Sequence, residues 1–328
     1  DGDSWLEFRR VLFRSKDAII TVSKSHKVSE IIIEKDYWVT YILKSISESE
    51  YKGNIVFKGG TSLSKAYNII KRFSEDIDLA LIFPEECNND SQKKQFLRKV
   101  SKECTKNFPE VNIPGITSKH GIFRKTAHEY PKITEENKEL IVKDKIILEL
   151  NSFTKPFPHQ NINISSMIGE YLIRTERNDI LKLYSLEPFP INVLDVRKTL
   201  VEKLFSIIRH SYSSQAIEEL KGKIRHIYDI YFLLKETEIS IFFNSDDFLE
   251  MITSVVEDDK RNSQFSGDWI SSKWSDSVIL SNPNETWDSL NSSYLNDFRP
   301  LVYGDFPSEH DIKDTLKRIY NRFKELGL

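Results

Sequence analysis

Phe57-Lys58-Gly59-Gly60-Thr61-Ser62-Leu63-Ser64-Lys65-Ala66-Tyr67, followed by Arg72-Phe73-Ser74-Glu75-Asp76-Ile77-Asp78-Leu79, is the stretch on which the reading of this chain turns. Asn54 to Lys58 is short and β-rich and ends at Gly59-Gly60, which predicts a strand and a turn. From Thr61 to Lys71, Leu63, Ala66, Tyr67 and Ile70 fall on one helical face, and Ile77 to Phe83 is a second apolar strand. The unit is strand, glycine turn, helix, strand. Within it, Asp76-Ile77-Asp78 puts two carboxylates on one side of a strand, because side chains alternate with a period of two. Two such acids can share a hard cation, which takes oxygen ligands and keeps positions open for phosphate oxygens. Gly59 and Gly60 let a triphosphate approach backbone amides at the positive end of a helix dipole. Thr61 and Ser62 add hydroxyls there, and Lys65 lies one turn onward. Singly, these are an acidic turn, a tight turn and a solvated lysine; together in one unit they predict a metal and nucleotide site.

Working outward, Glu34 to Ser47 reads as an amphipathic helix, Gln92 to Asn107 as another, and Ile146 to Leu150 as a strand. After Pro188 and Pro190 the pattern turns helical, over Asp195 to His210, Gly222 to Glu236, Asp246 to Glu257 and Ile312 to Glu325. The fold class is therefore α+β, with strands in a first domain, 16–190, and a mainly helical second domain, 191–328. A chain of 328 residues is about twice the usual length of one domain, which suits that division. Apolar residues make up 39% and aromatic ones 12%, which excludes a disordered or low-complexity chain. The longest apolar runs, Leu79 to Phe83 and Ile230 to Leu234, fall far short of the roughly 20 residues a membrane span needs, so no membrane partner is expected. Cys87 and Cys104 are the only cysteines, too few for a disulfide scaffold, which fits a cytoplasmic protein. The net charge is −3, but Glu236 to Pro300 holds 13 acidic against 4 basic residues, so the rest of the chain carries a surplus of +6 that could meet a polyanion. Leu6 to Ser15 resembles the translation of a sequencing-library adapter, so residues 1–15 are expected to be a non-native leader, with an ordinary N-terminal helix as the alternative.

Two further residues stand out on helices. On a wheel with Leu200 at the centre, Lys203 sits at the edge of the apolar stripe of Leu204, Ile207 and Ile208, so a partly buried ammonium is expected to need a partner. Asp229 lies in a segment apolar on nearly every face, with Arg225 one turn back as the simplest partner.

The quoted stretch resembles the signature of AbiEii/AbiGii-type nucleotidyltransferase toxins, within the DNA polymerase β-like nucleotidyltransferase superfamily. Glu34-Lys35-Asp36-Tyr37-Trp38, Glu202-Lys203-Leu204 and Arg225-His226-Ile227-Tyr228-Asp229 agree with it, from about residue 28 to the C-terminus. The resemblance implies a polymerase β-like domain with a small mixed sheet, followed by helices. It implies a metal-dependent enzyme that moves NMP from an NTP to an acceptor and releases pyrophosphate. The acceptor it suggests is an RNA such as tRNA, and the setting a toxin-antitoxin or phage-defence system with a cognate antitoxin. Asp76 and Asp78 would then hold Mg2+, two ions in this family's chemistry, with Gly59, Gly60, Thr61, Ser62 and Lys65 on the NTP. The superfamily's third carboxylate on a neighbouring strand matches Glu149 best; an exposed edge-strand glutamate is the alternative, and Asp144 is the nearest competitor. The resemblance also places Lys203 and Asp229 among the catalytic residues. Fifteen residues separate Gly60 from Asp76, more than the superfamily's usual spacing, so the intervening helix is expected to be a turn longer. Lys119, Arg124, Lys125, Lys132, Lys138, Lys143 and Lys145 form a basic stretch where RNA contacts are expected. A small-molecule nucleotidyltransferase and a non-catalytic nucleotide-binding module are the other readings of the same residues.

Overall fold

The computed structural model describes residues 16–74, 76–134, 144–262 and 265–328; the expected leader, 1–15, lies outside them. The chain divides into two compact units. One takes in the chain up to Ala66, Phe73–Ser152 and His159–Val193, the other Tyr67–Arg72, Phe153–Pro158 and Leu194–Leu328.

A mixed sheet forms the first unit, as an α+β fold requires. Its strands are β1 (Ile55–Lys58), β2 (Asp76–Leu81), β3 (Glu110–Val111), β4 (Ser118–His120), β5 (Phe123–His128), β6 (Ile146–Asn151), β7 (His159–Ile164) and β8 (Phe189–Leu194). They lie in the order β3-β5-β6-β2-β1-β8-β7, with β4 also paired to β5. The central strands are apolar on both sides: Ile55-Val56-Phe57, Ile77, Leu79, Ala80 and Ile146-Ile147-Leu148 are all fully buried. Strands covered on both faces read as continuous apolar runs for this reason, and each such side chain contributes about 1.5–3 kcal/mol on burial. Around the sheet stand α1 (16–26), α2 (Glu30–Glu48), α3 (Gly59–Lys65), α4 (Asp90–Cys104), α5 (Met167–Arg174) and α6 (Asn178–Leu183). Helix α4 begins where the Asn89 side chain accepts the Gln92 amide at 3.0 Å. In α2, Glu34 is buried and accepts the backbone amides of Ile133 and Thr134 at 2.5 and 3.2 Å, while Trp38 packs edge-on against Tyr37, Tyr41 and Phe108. The stretch from Glu34 to Trp38 is thus an anchor for α2.

In the second unit, α7 (Val196–Ser211), α8 (Ala216–Lys221), α9 (Ile224–Lys235), α10 (Thr237–Phe243), α11 (Asp247–Lys260), α12 (Val278–Ser281), α13 (Pro283–Ser293) and α14 (Glu309–Glu325) pack around an aromatic core. Trp269 and Trp287 are buried in it, and Trp274 meets Phe205 edge-on at 4.7 Å. Asp195 caps α7, and Ser308 with Asp311 forms a capping box on α14.

Two features differ from the sequence reading. Strand β8 crosses the boundary expected at residue 190, and the division falls after Val193. Phe189, Ile191 and Val193 alternate inward with Pro190 exposed between them, a strand pattern that the proline obscures. Helix α3, in turn, is shorter than expected rather than longer, because it ends at Lys65 and the chain from Tyr67 to Arg72 joins the second unit. The Tyr67 hydroxyl donates to the Leu194 carbonyl at 2.7 Å, Asn68 takes a left-handed φ of 52°, and the Tyr303 and Gly304 amides both donate to the Lys71 carbonyl at 3.0 Å. A Cβ on Gly304 would stand 2.4 Å from the Lys71 Cβ, so only glycine allows this approach.

Arg72 completes that attachment. Its Nε and a terminal nitrogen each lie 2.7 Å from the two Asp229 oxygens, and Lys203 Nζ is 2.7 Å from Asp229 Oδ2. All three side chains are buried. Burial alone would raise the Asp229 pKa, but Arg72 and Lys203 outweigh it and hold the carboxyl below its ordinary value. The partner of Asp229 is thus Arg72, remote in sequence, and not the neighbouring Arg225. Asp229→Asn would strand two buried cations, and we expect it to destabilise the protein by about 3–5 kcal/mol in urea denaturation. Because the folded pKa lies below the unfolded one, the Asp229 contribution is complete above the ordinary carboxylate range and is lost as pH falls through the folded value. The wild-type protein should therefore lose stability on acidification more steeply than Asp229→Asn.

Candidate active site

Strand register sets a row of charge across the first unit. Lys58 on β1 is paired with Asp78 on β2, Asp78 with Glu149 on β6, and Glu149 with Lys125 on β5. Directly opposed residues share a face of a sheet, so the row reads plus, minus, minus, plus, and Asp76 adds a third acid on the same side. Lys125 Nζ lies 3.3 Å from Glu149 Oε2 and 3.5 Å from Asp76 Oδ2. Asn151 donates to Glu149 Oε1 at 3.2 Å, so both oxygens of Glu149 are engaged. Asp76 Oδ1, by contrast, is buried and has no hydrogen-bond partner among the described residues.

Electrostatics follow from that crowding. Burial, then Glu149 and Asp76, push the Asp78 pKa up to about 7, against the pull of Lys125 and Lys58. Burial would lower the Lys125 pKa, yet Asp76, Glu149 and Asp78 together raise it.

The glycine turn is built against these acids. Gly59 has φ of +78°, and a Cβ there would lie 2.0 Å from Asp78 Oδ2, so both the backbone and the contact require glycine. Gly60 is buried in the first turn of α3. The Thr61 hydroxyl donates to the Asp76 carbonyl at 2.6 Å and that of Ser62 to the Gly59 carbonyl at 2.8 Å. Both hydroxyls therefore fasten the turn to β2 and to itself. Lys65 Nζ lies 2.5 Å from Asp36 Oδ1 and 3.3 Å from the Ser165 carbonyl, and Asp36 Oδ2 accepts the Met167 amide at 2.7 Å. A cavity of about 300 Å3 opens beside Tyr37, Tyr41, Lys44, Ser165 and Tyr184, and none of the three acids lines it.

Asp76, Asp78, Glu149 and Gly59 are thus brought together, while Lys65 is turned to Asp36 on α2. Lys203 and Asp229 belong to the second unit, joined to Arg72. Asp144 pairs with Lys132 and Lys145 and is no part of the acidic row. His226 is driven well below its ordinary pKa by burial, then by Lys203, Lys223 and Arg72. The sequence reading missed Lys125, Lys58 and Asp36 as neighbours of the expected site residues. Only the pairing of β5 with β6 reveals Lys125, since its own surroundings in the sequence are merely basic.

The fit to a divalent cation rests on two carboxylates. Among the described residues, no three His, Cys, Asp or Glu side chains surround a point that could hold a metal ion. Two do suit one: the unpartnered oxygen of Asp76 and the crowded carboxylate of Asp78 are hard donors without full compensation.

No curated protein matches the chain. Among solved structures, MenT4, a nucleotidyltransferase toxin from Mycobacterium tuberculosis H37Rv, is 12% identical, with 84% of this chain and 98% of that one covered and a TM-score of 0.41. Residues 41–320 match the family described as nucleotidyl transferase AbiEii toxin, Type IV TA system, a span that takes in both the acidic row and the Arg72, Lys203 and Asp229 cluster. The chain belongs to that family and is a nucleotidyltransferase toxin of a type IV toxin-antitoxin system.

Proposed function

We propose that the chain moves a nucleoside monophosphate from an NTP to a hydroxyl of RNA, with tRNA the first acceptor to test, and that Mg2+ on Asp76 and Asp78 is required. The observation that carries this reading is the pair Asp76 and Asp78 on one strand face, with an unpartnered oxygen on the first and Gly59 against the second. In the reaction a bond forms between the acceptor oxygen and the α-phosphorus, the α–β phosphoanhydride bond breaks, and pyrophosphate leaves. When bound, Mg2+ supplies charge neutralisation and Lewis-acid polarisation of the phosphate oxygens. The chain's own residues orient and exclude. Gly59 keeps the approach to the Asp78 carboxylate free of a side chain, and Thr61 ties the glycine turn to the carbonyl of Asp76. Within the second unit, Asp229 holds Lys203 in place. A cognate antitoxin is the partner that a system of this type implies.

RNA as acceptor rests on the family and on the positive surplus outside Glu236 to Pro300. The basic stretch itself is mostly compensated: Lys119 pairs with Glu110, Lys125 with Asp76 and Glu149, Lys132 with Asp144, and Lys145 with Glu129 and Asp144. Lys138 and Lys143 lie outside the described residues. Incubating the protein with each α-labelled NTP, total RNA and a small-metabolite extract decides the acceptor. Label in the RNA fraction with release of pyrophosphate is the expected result. Label confined to small metabolites would overturn the RNA acceptor, and NTP binding with no pyrophosphate would overturn catalysis. Asp76→Asn should lower incorporation by on the order of 10²–10³-fold or more while the far-ultraviolet circular dichroism stays that of wild type. Gly59→Ala should be inactive for a steric reason and should also lower stability by about 1–3 kcal/mol, read from thermal or urea unfolding, because the new Cβ meets Asp78 at a positive φ.

A further inference from the structure

We infer that Lys125 is a built-in cation of the acidic row, which takes Glu149 out of the metal set so that the site holds one divalent cation, on Asp76 and Asp78, and not two. The inference rests on the metal reading given under the proposed function and adds a stoichiometry and a residue to it. Three observations support it. Both oxygens of Glu149 already accept a hydrogen bond, Oε2 from Lys125 and Oε1 from Asn151. Lys125 also reaches Asp76 Oδ2, which leaves Oδ1 as the one Asp76 oxygen without a partner. Finally, Lys125 is held opposite Glu149 by the β5–β6 register, and its neighbours Thr126 and Ala127 are fully buried, so the strand cannot slip without exposing them.

Charge supports the same stoichiometry. Asp76, Asp78 and Glu149 against Lys58 and Lys125 leave one net negative charge in the row. One divalent cation reverses that to one positive charge; a second would leave three positive charges in a partly buried space, where like charges repel far more strongly than in water. The lysine therefore stands in for the second metal on the Glu149 side, as a positioning residue.

Titrating Mn2+ into the full chain and reading the free ion by electron paramagnetic resonance tests this without any activity measurement. Wild type should bind one equivalent, and Asp76→Asn none. Lys125→Met should bind the first equivalent roughly tenfold more tightly, for loss of a repelling charge, and should take up a second. Lys125→Arg, which keeps the charge, should stay at one equivalent. Glu149→Gln should weaken the first equivalent by about as much as Lys125→Met tightens it, for loss of one negative charge, and should remove the second equivalent when combined with Lys125→Met. Should Lys125→Met fail to fold, Lys125→Gln serves in its place, with the near-ultraviolet spectrum as the check. Equal or weaker binding in the uncharged variants, or a loss of about a hundredfold or more in Glu149→Gln alone, would overturn the inference while leaving the metal reading standing. Absence of binding in wild type and in every Lys125 variant would overturn both.

Discussion

Like charge on one face of a sheet is the constraint from which the rest follows. Neighbouring strands lie about 5 Å apart, and two carboxylates at that spacing repel by about 3 kcal/mol at the effective dielectric of a partly buried site. The first unit accepts three of them in one patch, Asp76, Asp78 and Glu149, and burial first, then the charges of Glu149 and Asp76, raise Asp78 to about 7. Such a cluster persists only where the surroundings over-determine it. The flanking ammoniums of Lys58 and Lys125 offset part of the repulsion, and the buried strands fix the backbone on which all five charges stand.

That over-determination comes from apolar residues. Ile77, Leu79, Ile146, Ile147 and Leu148 are fully buried, so a one-residue slip of β2 or β6 would carry acids into the core and aliphatic side chains out of it. The register that places Asp78 beside Glu149 is thus enforced by the faces that take no part in the chemistry. Gly59 acts at closer range. Its missing side chain lets the turn before α3 touch the Asp78 carboxylate, and the Thr61 hydroxyl then locks that turn to β2.

How much of this could be read in the sequence depends on the distance over which each feature is decided. The strand, turn, helix, strand unit is local, and so is the pairing of Asp76 with Asp78 by alternation; both are visible as strings. Glu149 stands out as the one charge in an apolar strand. The fate of Tyr67 to Arg72 is not local: its apolar residues fit a helical face, but Arg72 is claimed by Asp229, 157 positions away, and Lys71 by Tyr303 and Gly304. Lys125 is the plainest case. In the string it belongs to a basic run, whereas in the sheet it faces two acids, because an antiparallel register decides a lysine's partner and no nearest-neighbour pattern encodes that register. Lys65 misleads in the same way, since its position one turn after the glycines suits a phosphate while Asp36 on α2 takes it.

The two charged clusters, one in each unit, are built in different ways. The acidic row in the first unit keeps one net negative charge after its lysines are counted, together with an oxygen of Asp76 that has no partner among the described residues. The buried cluster in the second unit closes on itself, with both Arg72 and Lys203 on the carboxylate of Asp229. Burying charge of either sign costs free energy unless partners return it, so the two cations on Asp229, and Lys125 on Asp76 and Glu149, are what these positions require.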